Sequence, residues 1–250
     1  MAHDNIATGA GYIVRGAKML GHKNLRLFVI IPLLINILIF GSLIGFGLSY
    51  LDTQMDRFLG WVPDWLSFVE WILWPLIGIA FSLMTGYMFT ALALIIASPF
   101  NALLAEKAEE LITGKPVDSL EGLGAALMAV PRGILREIYK LLYYIPMLLF
   151  VLLMTFIPVI NAVSPLLWFA FGAWMMSLQF VDYPMDNHQL SFADVKEAVR
   201  SRRISSMGFG GTVALCASIP IVNFFVIPSA VVGATLFWCE QLQHDEQWSR

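Results

Sequence analysis

Two long uncharged stretches, each interrupted by the same short motif, most strongly limit what this chain can fold into. They span residues 141–181 and 204–239, and near their middles they read Ile157-Pro158-Val159-Ile160-Asn161 and Ile219-Pro220-Ile221-Val222-Asn223. A proline cannot donate a backbone hydrogen bond, and it moves the residue before it away from helical angles. We therefore predict that each stretch folds into two helices joined by a tight turn at the proline.

The lengths of the helical arms decide whether such a hairpin can cross a bilayer. A full crossing needs about 20 residues over about 30 Å of hydrocarbon. The uncharged arms of the first hairpin, residues 141–157 and 166–181, and the trailing arm of the second, residues 229–239, are shorter than this. We interpret both hairpins as re-entrant, which requires protein or a water-filled path around their polar tips. The alternatives are two ordinary spans joined by a tight turn, or one kinked span.

Three further segments complete the predicted architecture. Residues 25–51 are long enough to span a membrane with some tilt, and residues 71–112 form a longer helix that extends into the cytoplasm. Residues 10–24 have the mixture of apolar and basic side chains that is typical of a helix in the membrane interface. The predicted fold class is therefore an all-α integral membrane protein with two long transmembrane helices, two shorter re-entrant helical hairpins and an N-terminal interfacial amphipathic helix. We expect a single membrane domain over residues 1–250, with an amphipathic helix and the first hairpin in residues 124–181 and the second hairpin in residues 195–240.

Composition and charge agree with a membrane protein. Hydrophobic residues make up 58% of the chain and charged residues 13%, whereas soluble domains carry about 25% charged residues. If both hairpins return to the side on which they start, 14 of the 15 Lys and Arg residues share one side, and only Arg57 lies on the other. Because cytoplasmic loops are enriched in Lys and Arg, both termini are predicted to be cytoplasmic. The net charge of −3 gives no support for nucleic-acid binding.

The sequence carries no recognisable catalytic or metal-binding pattern. Cys216 and Cys239 both lie in the second uncharged stretch and lack the spacing of a disulfide framework or a zinc site. No nucleotide-binding loop and no cluster of His, Cys, Asp and Glu is present. We therefore expect a protein that is not an enzyme and needs no cofactor and no metal. A transporter or channel stays open, and so does a non-transporting membrane scaffold or assembly protein in which the hairpins are packing elements.

The start of the first long helix has the chemistry of an anion-binding site. Lys23-Asn24-Leu25-Arg26 precede the apolar run, and Asn24 is a favourable N-cap residue. A helix N-terminus offers unpaired N–H groups and a partial positive charge. Arg26 adds a planar set of donors suited to an oxyanion, and Lys23 adds charge. The alternative is that these residues only anchor the helix on the cytoplasmic side.

Several segments together resemble the CysZ family of bacterial sulfate transporters, over roughly residues 10–240. They are residues 26–37 (RLFVIIPLLINI), residues 98–107 (SPFNALLAEK) and the two Ile-Pro-x-x-Asn tips. The resemblance implies sulfate uptake across the inner membrane for cysteine biosynthesis, by a protein without an ATPase. It also implies that the sulfate-binding motif of the family falls on Asn24-Leu25-Arg26. The glycine that opens this motif is Asn24 here, and Leu27 stands where a second arginine often follows.

Polar residues within or beside the apolar runs are candidates for a path and its gate. Polar groups inside a membrane are costly unless they pair, and sulfate needs donors such as amides and arginine. The alternative is that these residues join helices to one another. Glu106 beside Arg132 or Arg136 is a candidate gating ion pair, or a structural one. The pathway and gate candidates are Asn36, Asn101, Glu106, Arg132, Arg136, Asn161 and Asn223.

The expected partners follow from the same resemblance and from the hairpins. They are sulfate, with sulfite or related oxyanions as further ligands, membrane lipids, and other copies of the chain. A homo-oligomer is expected because short hairpins leave their tips near the middle of the bilayer, where non-helical backbone needs cover.

Overall fold

The computed structural model describes residues 4–60, 68–117 and 130–243, and these residues form α-helices without any β-strand. The described helices follow one another in chain order, and the last one continues into a π-helical turn, Trp238–Leu242. They are α1 (Ile6–Met19), α2 (Lys23–Leu59), α3 (Phe68–Thr113), α4 (Val130–Thr155), α5 (Pro158–Asn161), α6 (Ser164–Asn187), α7 (Phe192–Ser201), α8 (Arg203–Ala217) and α9 (Pro220–Phe237).

The chain divides into two compact units, and α2 and α3 each contribute to both. Residues 30–98 form one unit, and residues 1–29 with 99–250 form the other. The second of these holds a continuous buried core that includes Leu25, Leu104, Met185 and Phe209. The predicted helices at 25–51 and 71–112 are confirmed as helices, although α2 begins at Lys23 and continues to Leu59, beyond the predicted end at residue 51.

Several helices have the length and composition of membrane spans. Within the described parts of the chain, four helical segments are long and apolar enough to cross a bilayer. The shorter apolar helix Trp71–Tyr87 lies within α3. The four segments are Lys23–Arg57, Gly133–Thr155, Ser164–Asn187 and Phe225–Leu242.

The first hairpin breaks where its proline predicts. α4 ends at Thr155, and Pro158 opens the single turn of α5 with extended backbone at Ile157. The prediction for the arms was wrong, because α4 and α6 have 26 and 24 residues instead of the 17 and 16 of the uncharged stretch. The helices continue through charged residues, and Pro184 lies inside α6. Both arms are thus long enough to cross, and a re-entrant arrangement stays a prediction. Residues 124–129 of the predicted amphipathic segment lie outside the described residues.

The second hairpin also breaks at its proline, but it has one short arm. α8 has 15 residues, which is about 22 Å at about 1.5 Å per residue. α9 begins at Pro220 with Ile219 extended, and it packs against α8. Residues 192–201, which the sequence analysis placed partly in this hairpin, form the separate helix α7. Its capping box joins Ser191 and Asp194. The short α8 keeps the re-entrant interpretation open for this hairpin.

The N-terminal helix packs tightly against the second hairpin. Tyr12 and Ile13 of α1 are buried, and α1 contacts both α8 and α9. A Cβ atom at Gly16 would lie 2.6 Å from the backbone nitrogen of Gly233, and one at Gly9 would overlap the carbonyl of Ser205. Tyr12 and Ile13 therefore face protein, and the position of α1 in a membrane interface stays a prediction.

A pair of charged side chains joins the two ends of the chain. Arg15 of α1 binds the Glu240 carboxylate through both of its terminal nitrogens, and Tyr12 donates its hydroxyl to the same carboxylate at 3.2 Å. Burial, followed by the negative charge of Glu240, raises the pKa of Tyr12 to about 12. Arg15, one of the basic side chains of the predicted interfacial segment 10–24, thus has a protein partner.

Candidate anion site and buried charge cluster

The start of α2 places the predicted anion-binding residues in one helical turn. His22 precedes the helix, and its carbonyl accepts from the amides of Leu25 and Arg26 at 3.1 and 3.3 Å. Its imidazole Nδ1 accepts from the Asn24 amide at 3.4 Å. The prediction that Asn24 is the N-cap was wrong, because the helix begins one residue earlier and Asn24 lies inside its first turn. An anion accepting from the Asn24 amide would displace this long contact to the imidazole.

The side chains of this turn divide into one buried anchor and three exposed polar groups. Leu25 is fully buried in the core, whereas Lys23, Asn24 and Arg26 are exposed. Arg26 donates from Nε to the Gly21 carbonyl at 2.9 Å, which holds its planar group beside the helix start. Its two terminal nitrogens are the donors that an oxyanion can bind bidentately.

A second group of charged residues lies between α4 and α6, and we call it the charge cluster. It comprises Arg136, Glu137 and Lys140 of α4 with Asp182 and Asp186 of α6. Asp182 bridges the two cations, because it accepts from Arg136 Nη2 at 2.6 Å and lies 2.7 Å from Lys140 Nζ. Arg136 Nη1 contacts Asp186 at 2.9 Å, and Lys140 Nζ contacts Glu137 at 2.7 Å. Arg136 also donates to the Leu190 carbonyl at 2.7 Å.

Burial differs sharply within the charge cluster. The Lys140, Asp182 and Arg136 side chains are only 2%, 6% and 11% exposed, whereas Asp186 and Glu137 are 36% and 57% exposed. Removing one partner from a buried ion pair leaves an uncompensated charge and is strongly unfavourable. The two cations are therefore held in place by Asp182, and each also contacts a carboxylate that is more exposed than the cation itself.

Two asparagines join α3 to α6 near the charge cluster. Asn101 donates to the Tyr183 hydroxyl at 3.4 Å, and Asn187 donates to the Ala102 carbonyl at 3.0 Å. These contacts agree with the interpretation of Asn101 as a residue that joins helices. A role of Asn101 along a sulfate path stays a prediction.

The remaining pathway candidates have mainly local surroundings. Asn161 donates to the Thr155 carbonyl at 2.9 Å and so closes the tip of the first hairpin. Asn223 is exposed near the start of α9, and Asn36 is half-buried within α2. Glu106 is buried and contacts Lys107 at 3.0 Å, and the side chain of Arg132 lies outside the described residues. Arg136, one of the two predicted partners of Glu106, binds the carboxylates of Asp182 and Asp186 on α6.

The chain is similar to one protein family and to several named proteins over most of its length. A family profile described as "Sulfate transporter CysZ/Etoposide-induced protein 2.4" matches residues 12–228. The chain belongs to this family. A protein named Sulfate transporter CysZ from Pseudomonas aeruginosa (strain LESB58) is 40% identical over 94% of this chain and 95% of its own length. Proteins of the same name from Pseudomonas fluorescens (strain Pf0-1) and Vibrio parahaemolyticus serotype O3:K6 (strain RIMD 2210633) are 41% and 40% identical, over 94% and 95% of this chain and 94% and 96% of their own lengths.

Sequence reasoning missed the acidic half of the charge cluster in this CysZ-family chain. Asp182 follows the uncharged stretch 141–181 directly, so it and Asp186 fall between the two predicted hairpins. The available signal was spacing, because residues four apart share one face of a helix. Asp182 and Asp186 have this spacing, as do Arg136 and Lys140, and opposite charges on two helices of one hairpin favour pairing.

A histidine pair joins α3 to the end of α6, and it predicts a dependence of stability on pH. His188 Nε2 lies 2.8 Å from Glu109 Oε1, and the Glu109 side chain is only 3% exposed. The hydrogen bond to the Glu109 carboxylate raises the pKa of His188 above its ordinary value, against the opposing effect of burial. The protonated imidazole is therefore the form that stabilises the fold.

We expect the thermal unfolding midpoint of the solubilised protein to fall as the pH rises from about 6 to about 8. The stabilisation is complete below the unfolded-state pKa of about 6.5 and is lost as the pH passes through the higher folded-state pKa. Melting curves of wild type and His188→Gln across this interval test the assignment, with Glu109→Gln as the reciprocal variant. Both variants should flatten the profile, and an unchanged slope in both would show that another group carries the pH dependence.

The described residues contain no group of three or more His, Cys, Asp or Glu side chains arranged to hold a metal ion. The same ranges offer cationic donors, amides, hydroxyls and carboxylates. Cationic donors and amides are suited to binding an anion.

Proposed function

We propose that this chain is a sulfate transporter or channel of the bacterial inner membrane, which takes up sulfate for cysteine biosynthesis. The observation that carries the proposal is 40% identity to a protein named Sulfate transporter CysZ over 94% of the chain. The apolar helices and the exposed basic turn at the start of α2 support it, because an anion carrier needs both a membrane-embedded body and anion donors. No residue is assigned a catalytic role.

Sulfate binding is proposed at Lys23, Asn24, Leu25 and Arg26. Arg26 would bind two sulfate oxygens, and Lys23 would add long-range attraction. The partial positive charge of the α2 N-terminus contributes about 0.3–1 kcal/mol to a nearby anion. Leu25 does not touch the ligand in this proposal; its buried side chain holds the turn against the core. Sulfite and related oxyanions share the same donor requirement and are proposed as competing ligands.

The arrangement in the membrane is proposed from the distribution of Lys and Arg. Both termini are placed in the cytoplasm because 14 of the 15 basic residues then share one side. The hairpin tips are proposed to lie near the middle of the bilayer, where further copies of the chain cover them. Asn36, Asn101, Glu106, Arg132, Arg136, Asn161 and Asn223 are the proposed polar residues along the sulfate path.

Sulfate uptake by purified protein in liposomes tests the function directly. Proteoliposomes that contain the full chain should accumulate radiolabelled sulfate faster than protein-free liposomes, and excess unlabelled sulfate should compete. Liposomes with a denatured sample control for leakage. If the folded protein adds no flux while still binding lipids and copies of itself, the scaffold interpretation replaces the transporter.

Accessibility of the hairpin tips tests their depth. Single cysteines are placed at Asn161 and Asn223 in a chain that lacks Cys216 and Cys239. They should react slowly with bulky impermeant thiol reagents added from either side, because re-entrant tips are covered by protein and lipid. Small reagents should reach them faster. Rapid labelling from the periplasmic side by a bulky reagent would mean that the arms cross completely, which the 26 and 24 residues of α4 and α6 permit for the first hairpin.

A further inference from the structure

The less exposed members of the charge cluster carry a net positive charge, and the two more exposed carboxylates carry the remaining negative charges. The three buried members, Arg136, Lys140 and Asp182, carry two positive charges and one negative charge. Asp186 and Glu137 add two negative charges from the more exposed side, through contacts of 2.9 Å to Arg136 Nη1 and 2.7 Å to Lys140 Nζ. Because the carboxylate of each of these half-exposed pairs lies at the protein surface, the attraction within the pair is weaker than between two buried charges. Together they occupy the donors that a dianion would bind.

We infer that the charge cluster is a second binding site for a tetrahedral oxyanion such as sulfate, which replaces Asp186 on Arg136 and Glu137 on Lys140. The exchange conserves charge, because one dianion takes the place of two carboxylates. Asp182 stays in position and keeps the two cations together through its bridging contacts. The inference rests on the proposed function, since that function supplies the dianion.

A buried hydroxyl on the same helix as Lys140 supports a ligand in this position. Tyr144 lies four residues after Lys140 on α4, and residues at this spacing share a helix face. Its side chain is buried, and its hydroxyl has no hydrogen-bond partner among the described residues. The carboxylates of Asp182 and Glu137 lie close enough to Tyr144 to act on it electrostatically. A buried hydroxyl without a partner is unfavourable, and an oxyanion bound between Lys140 and Tyr144 would accept its hydrogen bond.

The location of these charges agrees with a role in moving an anion. Arg136 and Lys140 lie in Gly133–Thr155, and Asp182 and Asp186 lie in Ser164–Asn187, two of the segments with the composition of membrane spans. Ionisable residues in such segments are costly and commonly mark ion paths. Weakly held carboxylates keep the site occupied in the absence of ligand, so the cations are never left unpaired. Asp182 is a positioning residue here, because it acts on the ligand only through the two cations.

Removing the two exchanging carboxylates should strengthen sulfate binding. Glu137→Gln with Asp186→Asn is expected to bind sulfate about 2- to 30-fold more tightly than the parent, the range set by two half-exposed ion pairs. Binding is measured by calorimetry on the detergent-solubilised full chain, in wild type and in Arg26→Ala, so that the site at α2 is separated. Adding Lys140→Met should abolish the gain and weaken binding at least about tenfold. Nitrate, which carries one charge, should gain less than sulfate.

The matched control is Glu110→Gln, which also removes a partly exposed carboxylate that contacts a lysine, here Lys107 at 2.9 Å. It makes the same kind of change outside the charge cluster and should leave sulfate affinity unchanged. Equal affinity in the double variant and its parent overturns the inference, as does a gain that survives Lys140→Met or is matched by Glu110→Gln. If Lys140→Met fails to fold, the double variant and the control decide alone. Absence of sulfate flux with tighter binding would instead refute only the proposed transport.

Discussion

Gly16→Ala is expected to lower the thermal unfolding midpoint of the solubilised protein by about 2–12 °C. The added Cβ would lie 2.6 Å from the nitrogen and 2.9 Å from the Cα of Gly233, and it would overlap the Ser229 carbonyl. All three are backbone atoms of α9, so they cannot rotate away as a side chain would. Overpacking of this kind costs about 1–3 kcal/mol, and a chain of this size loses about 2–4 °C for each kcal/mol.

Gly11→Ala is the matched control for this prediction. It lies in the same helix, and a Cβ there meets nothing within 4 Å. Since alanine is favoured over glycine in helix interiors by about 1 kcal/mol, the control should melt at the wild-type temperature or slightly above it. If the two variants have equal midpoints, α1 does not pack against α9 in the way described.

Arg26→Ala is expected to weaken sulfate binding by about 10- to 100-fold. A hydrogen bond to a charged group contributes about 1.5–3 kcal/mol, and about 1.4 kcal/mol corresponds to a factor of ten. The fold should be retained, because the Arg26 side chain is exposed and its described contact is one bond to the Gly21 carbonyl. Arg26→Lys should recover only part of the affinity, because an ammonium group cannot bind two oxygens in a planar arrangement.

Calorimetry with sulfate, and with nitrate as the control ion, measures this effect. Lys23→Ala is the neighbouring control in the same turn. Its smaller effect should fade with added salt, since exposed charges are screened over about 8 Å at physiological ionic strength. Wild-type sulfate affinity in Arg26→Ala would remove the site at the start of α2 and leave Arg136 and Lys140 as the principal anion donors.

The helix breaks were predictable because their cause is local. Pro158 and Pro220 each stand at the first position of a new helix, and the residue before each is extended. This outcome follows from the proline ring itself and needs no tertiary information. The start of α2 depended on finer detail, because both Asn24 and His22 can accept from a helix N-terminus, and His22 takes this position in the structure.

The arms of the first hairpin and its charge cluster were not predictable in the same way. An uncharged stretch ends at the first charged residue, but α4 and α6 continue because Arg136 and Lys140 neutralise Asp182 across the hairpin. Arg136 and Asp182 are 46 residues apart in sequence. Taken separately, each charged residue indicates the end of an apolar helix and the start of a loop. Their pairing depends on the register between two helices, which spacing suggests but does not determine.

The ion pair between Arg15 and Glu240 can form only late in the synthesis of the protein. Its two members are separated by 225 residues, so α1 leaves the ribosome long before α9 exists. At about 5–20 residues per second, the N-terminal helix waits about 10–45 s for its docking surface. During this interval its apolar face, including Tyr12 and Ile13, must be covered by lipid or by a chaperone. We expect α1 to lie on the membrane surface during this interval, as the sequence of residues 10–24 predicts.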